Sequence, residues 1–214
     1  MKKIVDIQRQ KRNKRRYTIY FEDGEWISLF DELVVKYGLK PHMEVDSNKI
    51  AKLAREDDTK KAMDMSLRYL QYRSRSQKEM ETYLEGKGFD GDIIDETVER
   101  LKSYGYIDDL AFARNWVSNR MVTKPMGKAM IKRELYYKGI DSHIIDESLD
   151  QITDDEEEEQ AYKLALKYIK RYRNLDTREQ FYKIGQALAR RGFGWEVARR
   201  ALRRLELEDQ GENL

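Results

Sequence analysis

Glu79-Met80-Glu81-Thr82-Tyr83-Leu84-Glu85-Gly86-Lys87-Gly88-Phe89 is matched by Met130-Ile131-Lys132-Arg133-Glu134-Leu135-Tyr136-Tyr137-Lys138-Gly139-Ile140. A third copy is Lys183-Ile184-Gly185-Gln186-Ala187-Leu188-Ala189-Arg190-Arg191-Gly192-Phe193. Gly88, Gly139 and Gly192 are 51 and 53 residues apart, and Leu84, Leu135 and Leu188 keep the same offsets. So do Ile94, Ile145 and Ala198, then Val98, Leu149 and Leu202, then Leu101, Ile152 and Leu205. Self-similarity at a fixed period near 50 residues is the mark of a repeat architecture.

Each copy reads as helix, glycine, apolar anchor, helix. A basic residue (Lys87, Lys138, Arg191) suits a helix C-terminus. The glycine supplies the left-handed position, and the next apolar residue packs back on the last turn. Ser76-Gln77-Lys78-Glu79 and Thr177-Arg178-Glu179-Gln180 fit the capping-box pattern, and Pro125 suits a first helical position. A further helix precedes each pair, at about Thr59–Arg73, Asp109–Met121 and Glu156–Arg173, with Tyr69-Leu70, Trp116-Val117 and Tyr168-Ile169 as matching core positions. The expectation is a mainly α protein whose three tandem three-helix repeats, residues 59–105, 106–153 and 154–214, form an elongated helical array.

The beginning differs. Ile4–Ile7, Tyr17–Phe21 and Glu25–Leu29 are short β-rich runs, and Asp23-Gly24 between the last two is a tight-turn dipeptide. Residues 1–58 are therefore read as a small β-hairpin unit with a short helix, Phe30–Tyr37, stopped by Gly38. A second short helix is expected at about Asn48–Glu56, capped by Ser47.

Composition narrows the function classes. Of 214 residues, 42 are Lys or Arg and 40 are Asp or Glu, so 38% of the chain is charged while the net charge is only +2. That charge density exceeds the roughly 25% of an ordinary domain, and with 40% hydrophobic residues it favours several thin cores over one large one. No run approaches the roughly 18 apolar residues of a membrane span. The start, Met1-Lys2-Lys3-Ile4-Val5-Asp6, has no apolar region of a signal peptide, so a cytoplasmic setting is expected. There is no cysteine, and His42 and His143 lie far apart. The lack of cysteine excludes disulfides, thiolate metal sites and cysteine nucleophiles together, and two separated histidines disfavour histidine-rich metal chemistry and paired-imidazole mechanisms.

Three motifs invite a chemical reading and lose it. Gly86-Lys87-Gly88-Phe89-Asp90-Gly91 matches G-x-G-x-x-G, but a dinucleotide site needs that motif after a strand, and the repeat already explains Gly88 as a helix stop. Gly127-Lys128 is followed by Ala129 where a phosphate-binding loop needs Ser or Thr. Asp108-Asp109 opens a helix, where a capping aspartate and a second acid belong. The acidic run Asp154–Glu159 similarly suits a solvated linker-to-helix junction, with contact to a basic partner surface as the alternative. The 14 tyrosines are read as mostly core and groove filling, not as a base-stacking platform. No catalytic site, cofactor or metal is expected.

Charge placement points to a binding surface. Residues 160–205 hold 13 Lys/Arg against Asp176, Glu179 and Glu196, a balance of +10. In the last helix Val197, Ala198, Ala201, Leu202 and Leu205 form an apolar face, and Arg199, Arg200, Arg203 and Arg204 line the other. Arg190 and Arg191 close the preceding helix. Two readings stand: a footprint for phosphates or an acidic protein surface, or a solvated face partly neutralised by Glu196–Arg200 at i,i+4. The loop with Lys11, Arg12, Lys14, Arg15 and Arg16 is a second candidate.

The segment Leu101-Lys102-Ser103-Tyr104-Gly105-Tyr106-Ile107-Asp108-Asp109-Leu110-Ala111-Phe112-Ala113-Arg114-Asn115-Trp116-Val117 resembles the signature of the RecX regulatory proteins. Tyr69-Leu70, Arg73–Ser76, Glu79-Met80, Leu84 and Lys87-Gly88-Phe89 match the same family, as do Ile131, Glu134-Leu135 and Lys138-Gly139-Ile140. The resemblance covers about residues 60–205. The basic, β-rich start is similar to the extension of RecX proteins from low-GC Gram-positive bacteria. The resemblance implies a regulator that binds the RecA recombinase filament on single-stranded DNA and lowers strand exchange and RecA-stimulated repressor cleavage. It also implies some direct DNA contact. It brings no catalytic residues and maps no contact surface. A monomer without membrane contact is expected, and a stand-alone nucleic-acid-binding helical repeat protein is the alternative.

Overall fold

The computed structural model describes the backbone of residues 1–211 and the side chains of residues 1–207; the last residues of the 154–214 segment lie outside the described ones. Four strands, β1 (Lys2–Arg9), β2 (Arg16–Phe21), β3 (Trp26–Phe30) and β4 (Glu44–Val45), form an antiparallel sheet in the order β3-β2-β1-β4. Asp23-Gly24 turns β2 into β3, with Gly24 at φ 84°. The β4 edge, two residues long, was not foreseen. Alternation along the strands sends Ile4, Ile19, Phe21, Leu29 and Val45 into a core. Leu33 of helix α1 (Asp31–Lys36) and Leu53 of the next helix complete it.

That next helix corrects the sequence reading. The helices expected at Asn48–Glu56 and Thr59–Arg73 are one continuous helix, α2 (Ser47–Leu70), capped by Asp46, whose carboxylate accepts from the Lys49 N–H at 2.7 Å. Asp57, at the expected break, lies inside α2 and is drawn inward. It is 2% exposed, accepts from the Phe30 N–H at 2.8 Å and pairs with the Arg16 guanidinium at 2.8 Å. The guanidinium also donates to the Ser28 carbonyl. This buried pair ties β2 and β3 to the middle of α2.

The remaining helices are α3 (Gln77–Glu85), α4 (Gly91–Ser103), α5 (Asp109–Thr123), α6 (Lys128–Tyr137), α7 (Ser142–Leu149), α8 (Asp154–Arg171), α9 (Thr177–Arg190) and α10 (Trp195–Gly211). With α2 they give three helices per repeat. In each repeat the first and third helices pack together, α2 on α4, α5 on α7 and α8 on α10. The equivalent second-helix residues Leu84, Leu135 and Leu188 are all fully buried. Gly88, Gly139 and Gly192 have φ of 80°, 73° and 82°. After each, the N–H of Phe89, Ile140 or Phe193 returns to the carbonyl five residues back, the Schellman closure.

Contacts divide the chain into two compact units: residues 1–73 with 80–106, and residues 74–79 with 107–214. Within the second unit, one interlock occurs twice. Gln77 N–H, in the first turn of α3, donates to Asp109 of α5 at 2.8 Å, and Ser76 Oγ donates to the Lys138 carbonyl beside Gly139. One repeat later Lys128 N–H, in the first turn of α6, donates to Glu157 of α8 at 2.8 Å, and Gly127 N–H donates to the Arg191 carbonyl beside Gly192. Each helix start thus has a first-turn N–H satisfied by the following repeat.

Two start signals move accordingly. Pro125 lies before α6, whose N-cap is Gly127, because repeat three supplies the acceptors there. Asp176, not Thr177, caps α9. Ser76–Glu79 does form a capping box, and Asp108 caps α5 through Ala111 N–H.

Candidate functional site

The arginine surface is built on α10 and the end of α9. Val197, Ala198, Ala201 and Leu205 are buried against α8 and α9, with Leu202 half-buried, so Arg199, Arg200, Arg203 and Arg204 face outward. Arg190 and Arg191 are exposed beside the Gly192 stop. The acidic run at the start of α8 has a larger role than a solvated junction. Thr153 and Glu156 make a capping box there, and Glu157 is buried in the interlock with Lys128. Glu158 pairs with Arg200 at 2.6 Å and Glu159 with Arg204 at 2.8 Å. The Arg204 guanidinium also lies over the Tyr162 ring.

The expected Glu196–Arg200 pair is therefore replaced. Glu196 takes Arg199, one turn away at i,i+3, and Arg200 reaches across to α8. Glu159 is held below the ordinary carboxylate range by its hydrogen bond from Arg204, and Arg200 is held protonated more firmly by Glu158. Both pairs are exposed and each adds little to stability. Their effect is to divide the stripe. Arg190, Arg191 and Arg203 keep no acidic partner within 4 Å among the described residues.

Sequence reasoning missed part of this field. Lys167, Lys170, Arg171, Arg173 and Arg178 are also exposed and without an acidic partner among the described residues. The signal was available: Lys167, Lys170, Arg171 and Arg178 have no acid three or four residues away in sequence, and Arg173 has only Asp176.

The N-terminal loop divides too. Lys11, Arg12 and Lys14 are exposed and unpaired among the described residues, whereas Arg15 contacts Glu32 at 3.1 Å and Asp64 at 3.8 Å. Arg16 is buried against Asp57, with its guanidinium over the Phe30 ring, so its role is structural. Among the described residues most of the tyrosines fill core edges and grooves, as expected: Tyr162 is buried, and Tyr17, Tyr20, Tyr37, Tyr69, Tyr83, Tyr168 and Tyr172 are half-buried. Tyr72, Tyr104, Tyr106, Tyr136, Tyr137 and Tyr182 are exposed. The glycine motif Gly86–Gly91 follows α3, with no strand before it. No group of three or more His, Asp or Glu side chains among the described residues is arranged to hold a metal.

Four family models match in chain order. They describe the RecX N-terminal domain over residues 2–46 and the first, second and third RecX three-helix domains over residues 62–101, 108–149 and 155–202. The regulatory protein RecX of Bacillus licheniformis is 35% identical over 206 residues, 96% of this chain and 78% of that one. The chain belongs to the RecX family.

The RecX regulatory protein of Clostridioides difficile is 32% identical over 94% of this chain and 95% of its own length. A crystal structure of a regulatory protein RecX superposes with a TM-score of 0.75 at 32% identity, covering 92% of this chain and 97% of that one. RecX from Lactobacillus salivarius gives 0.68 at 32% identity, over 71% and 99%. The relatives are named regulatory proteins, which supports a regulatory role for this member of the family. No helix among the described residues is long and apolar enough to cross a membrane.

Proposed function

We propose that the protein binds the RecA recombinase filament on single-stranded DNA and inhibits it, lowering recombination and damage-response signalling. Membership of the RecX family across nearly the whole chain carries this reading. The surface chemistry is compatible with it: the third repeat presents unpaired cations of one sign, and a nucleoprotein filament is a polyanion wrapped in protein. The protein would act without catalysis, as a cytoplasmic monomer, with residues 59–105, 106–153 and 154–214 as successive modules behind the 1–58 unit. Arg190, Arg191 and Arg203 are the contacts of first choice, since Arg199, Arg200 and Arg204 are already engaged by glutamates.

The test is to add the protein, at well below one copy per recombinase, to a growing filament on single-stranded DNA and follow assembly. Arrested growth is expected. A protein that leaves assembly untouched, yet binds DNA tightly by itself with a steep salt slope, would favour the stand-alone nucleic-acid binder.

A further inference from the structure

The N-terminal sheet has a second face that the core does not use. Period-two alternation places Gln8 of β1, Thr18 and Tyr20 of β2, and Trp26 and Ser28 of β3 on the side opposite Ile19, Phe21 and Leu29. Gln10, at the end of β1, confirms the grouping: its amide donates to Thr18 Oγ1 at 3.1 Å and to Ser28 Oγ at 2.8 Å, joining three strands. Tyr20 and Trp26 are register partners on β2 and β3, and Trp26, on the edge strand, is 62% exposed. The indole is thus open to solvent and available for stacking.

The face is bordered by positive charge. Residues 9–16, Arg-Gln-Lys-Arg-Asn-Lys-Arg-Arg, contain six cations and no acid. Lys11, Arg12 and Lys14 are unpaired among the described residues. A groove of about 750 Å³ runs along β3 and α2, from Trp26 past Ser28 and Phe30 to Arg68, which is exposed and has no acidic partner among the described residues. The acids nearby are already engaged. Asp57 holds Arg16, Asp58 holds Lys61, and Asp64 faces Arg15. Asp23 and Glu25, next to Trp26, share Lys2, and Asp6 accepts from Gln8 and from the Ile7 N–H.

We propose that this sheet face and groove bind single-stranded nucleic acid. Trp26 stacks a base, with Tyr20 beside it; Gln8, Gln10 and Ser28 offer amides and hydroxyls to base edges; Lys11, Arg12, Lys14 and Arg68 take the backbone phosphates. An exposed aromatic flanked by a cationic track is the combination that single-strand binding uses. Duplex bases are already stacked and offer no free face to an indole, and an acidic peptide would use the cations but leave Trp26 idle. The site uses residues other than the arginine surface of the third repeat, and binding here does not depend on the recombinase reading.

The test uses the full chain, fluorescein-labelled oligo(dT) of about 16 nucleotides, and no recombinase. Trp26→Ala should weaken binding roughly 5- to 150-fold, the loss of one stacked base, while Trp26→Phe should retain most of the affinity. Lys11→Ala, Arg12→Ala and Lys14→Ala together should weaken binding and flatten its salt dependence. Oligo(dT) carrying 5-iododeoxyuridine should photocross-link to Trp26 or Tyr20. Unchanged affinity of Trp26→Ala would overturn the proposal, as would cross-links confined to residues beyond 73 or full displacement of the DNA by polyglutamate at equal charge.

Discussion

Replacing the three helix-stop glycines by alanine, one at a time, separates backbone strain from interlock. All three sit at φ between 73° and 82°, so alanine at any of them pays about 1–2 kcal/mol for the left-handed conformation. At Gly88 that is the whole cost, because a Cβ there meets nothing within 4 Å. At Gly192 the new atom would lie 2.4 Å from the Met130 backbone nitrogen and 2.6 Å from Met130 Cβ, and at Gly139 it would lie 2.3 Å from Lys78 Cβ. Neither neighbour can yield freely. Met130 follows Ala129, whose N–H bonds to the Gly192 carbonyl, and Lys78 sits between the interlocked Ser76 and Glu79. Relieving such a contact costs a further 1–3 kcal/mol. Gly192→Ala and Gly139→Ala should thus lose about 2–5 kcal/mol, and Gly139→Val more. Thermal melting followed by circular dichroism reads this as about 2–4 °C per kcal/mol for a chain of this size. Equal shifts for Gly88→Ala and Gly192→Ala would refute the interlock.

Asp57→Ala should cost about 3–5 kcal/mol in urea unfolding, because it strands the buried Arg16 guanidinium and the Phe30 N–H; a loss under 1 kcal/mol would mean the pair is not buried in solution. Thr97 and Ser148 are buried, their hydroxyls lack a hydrogen-bond partner among the described residues, and Ala201 fills the equivalent place in the third repeat. Ser148→Ala should therefore leave the melting temperature unchanged or raise it, and a clear drop would reveal a missing partner. Glu156 is held below its ordinary value of 4.5 by the Thr153 backbone N–H, and Glu159 likewise by Arg204. A carboxylate depressed in the folded state adds stability that is complete above its unfolded value and fades as pH falls through the folded one. Stability should be level above about pH 5 and decline below 4.5, and a decline that begins at neutral pH would contradict this.

What the sequence made legible is what its neighbours in the chain decide. The glycine stops, the Ser76–Glu79 capping box and the apolar face of α10 rest on residues within a few positions of one another, and the repeat offsets made the glycine stops visible three times. The break expected between Glu56 and Thr59 does not occur, and the partners that draw Asp57 inward there, Arg16 and Phe30, are 41 and 27 residues away. With its carboxylate taken up there, nothing stops α2. Pro125 misled for a related reason: the carbonyls of Arg191 and Gly192 fix where α6 begins. The arginine face of α10 could be drawn on a helical wheel, but its division into engaged and free arginines could not. That division depends on Glu158 and Glu159, more than 40 residues earlier on another helix. The second face of the N-terminal sheet was hidden because strand order and register, not composition, bring Gln10, Tyr20 and Trp26 to one side.

The central claim is that unpaired arginines of the third repeat help restrain a recombinase filament. The direct measurement compares wild type with a variant carrying Arg190→Ala, Arg191→Ala and Arg203→Ala, scoring inhibition of filament growth on single-stranded DNA over a range of salt. These side chains are exposed and carry no ion pair among the described residues, so fold and melting temperature should be nearly preserved. Inhibition should weaken and lose much of its salt dependence, since exposed charges act at long range and are screened by salt. A variant that inhibits as well as wild type, with the same response to salt, would contradict the claim.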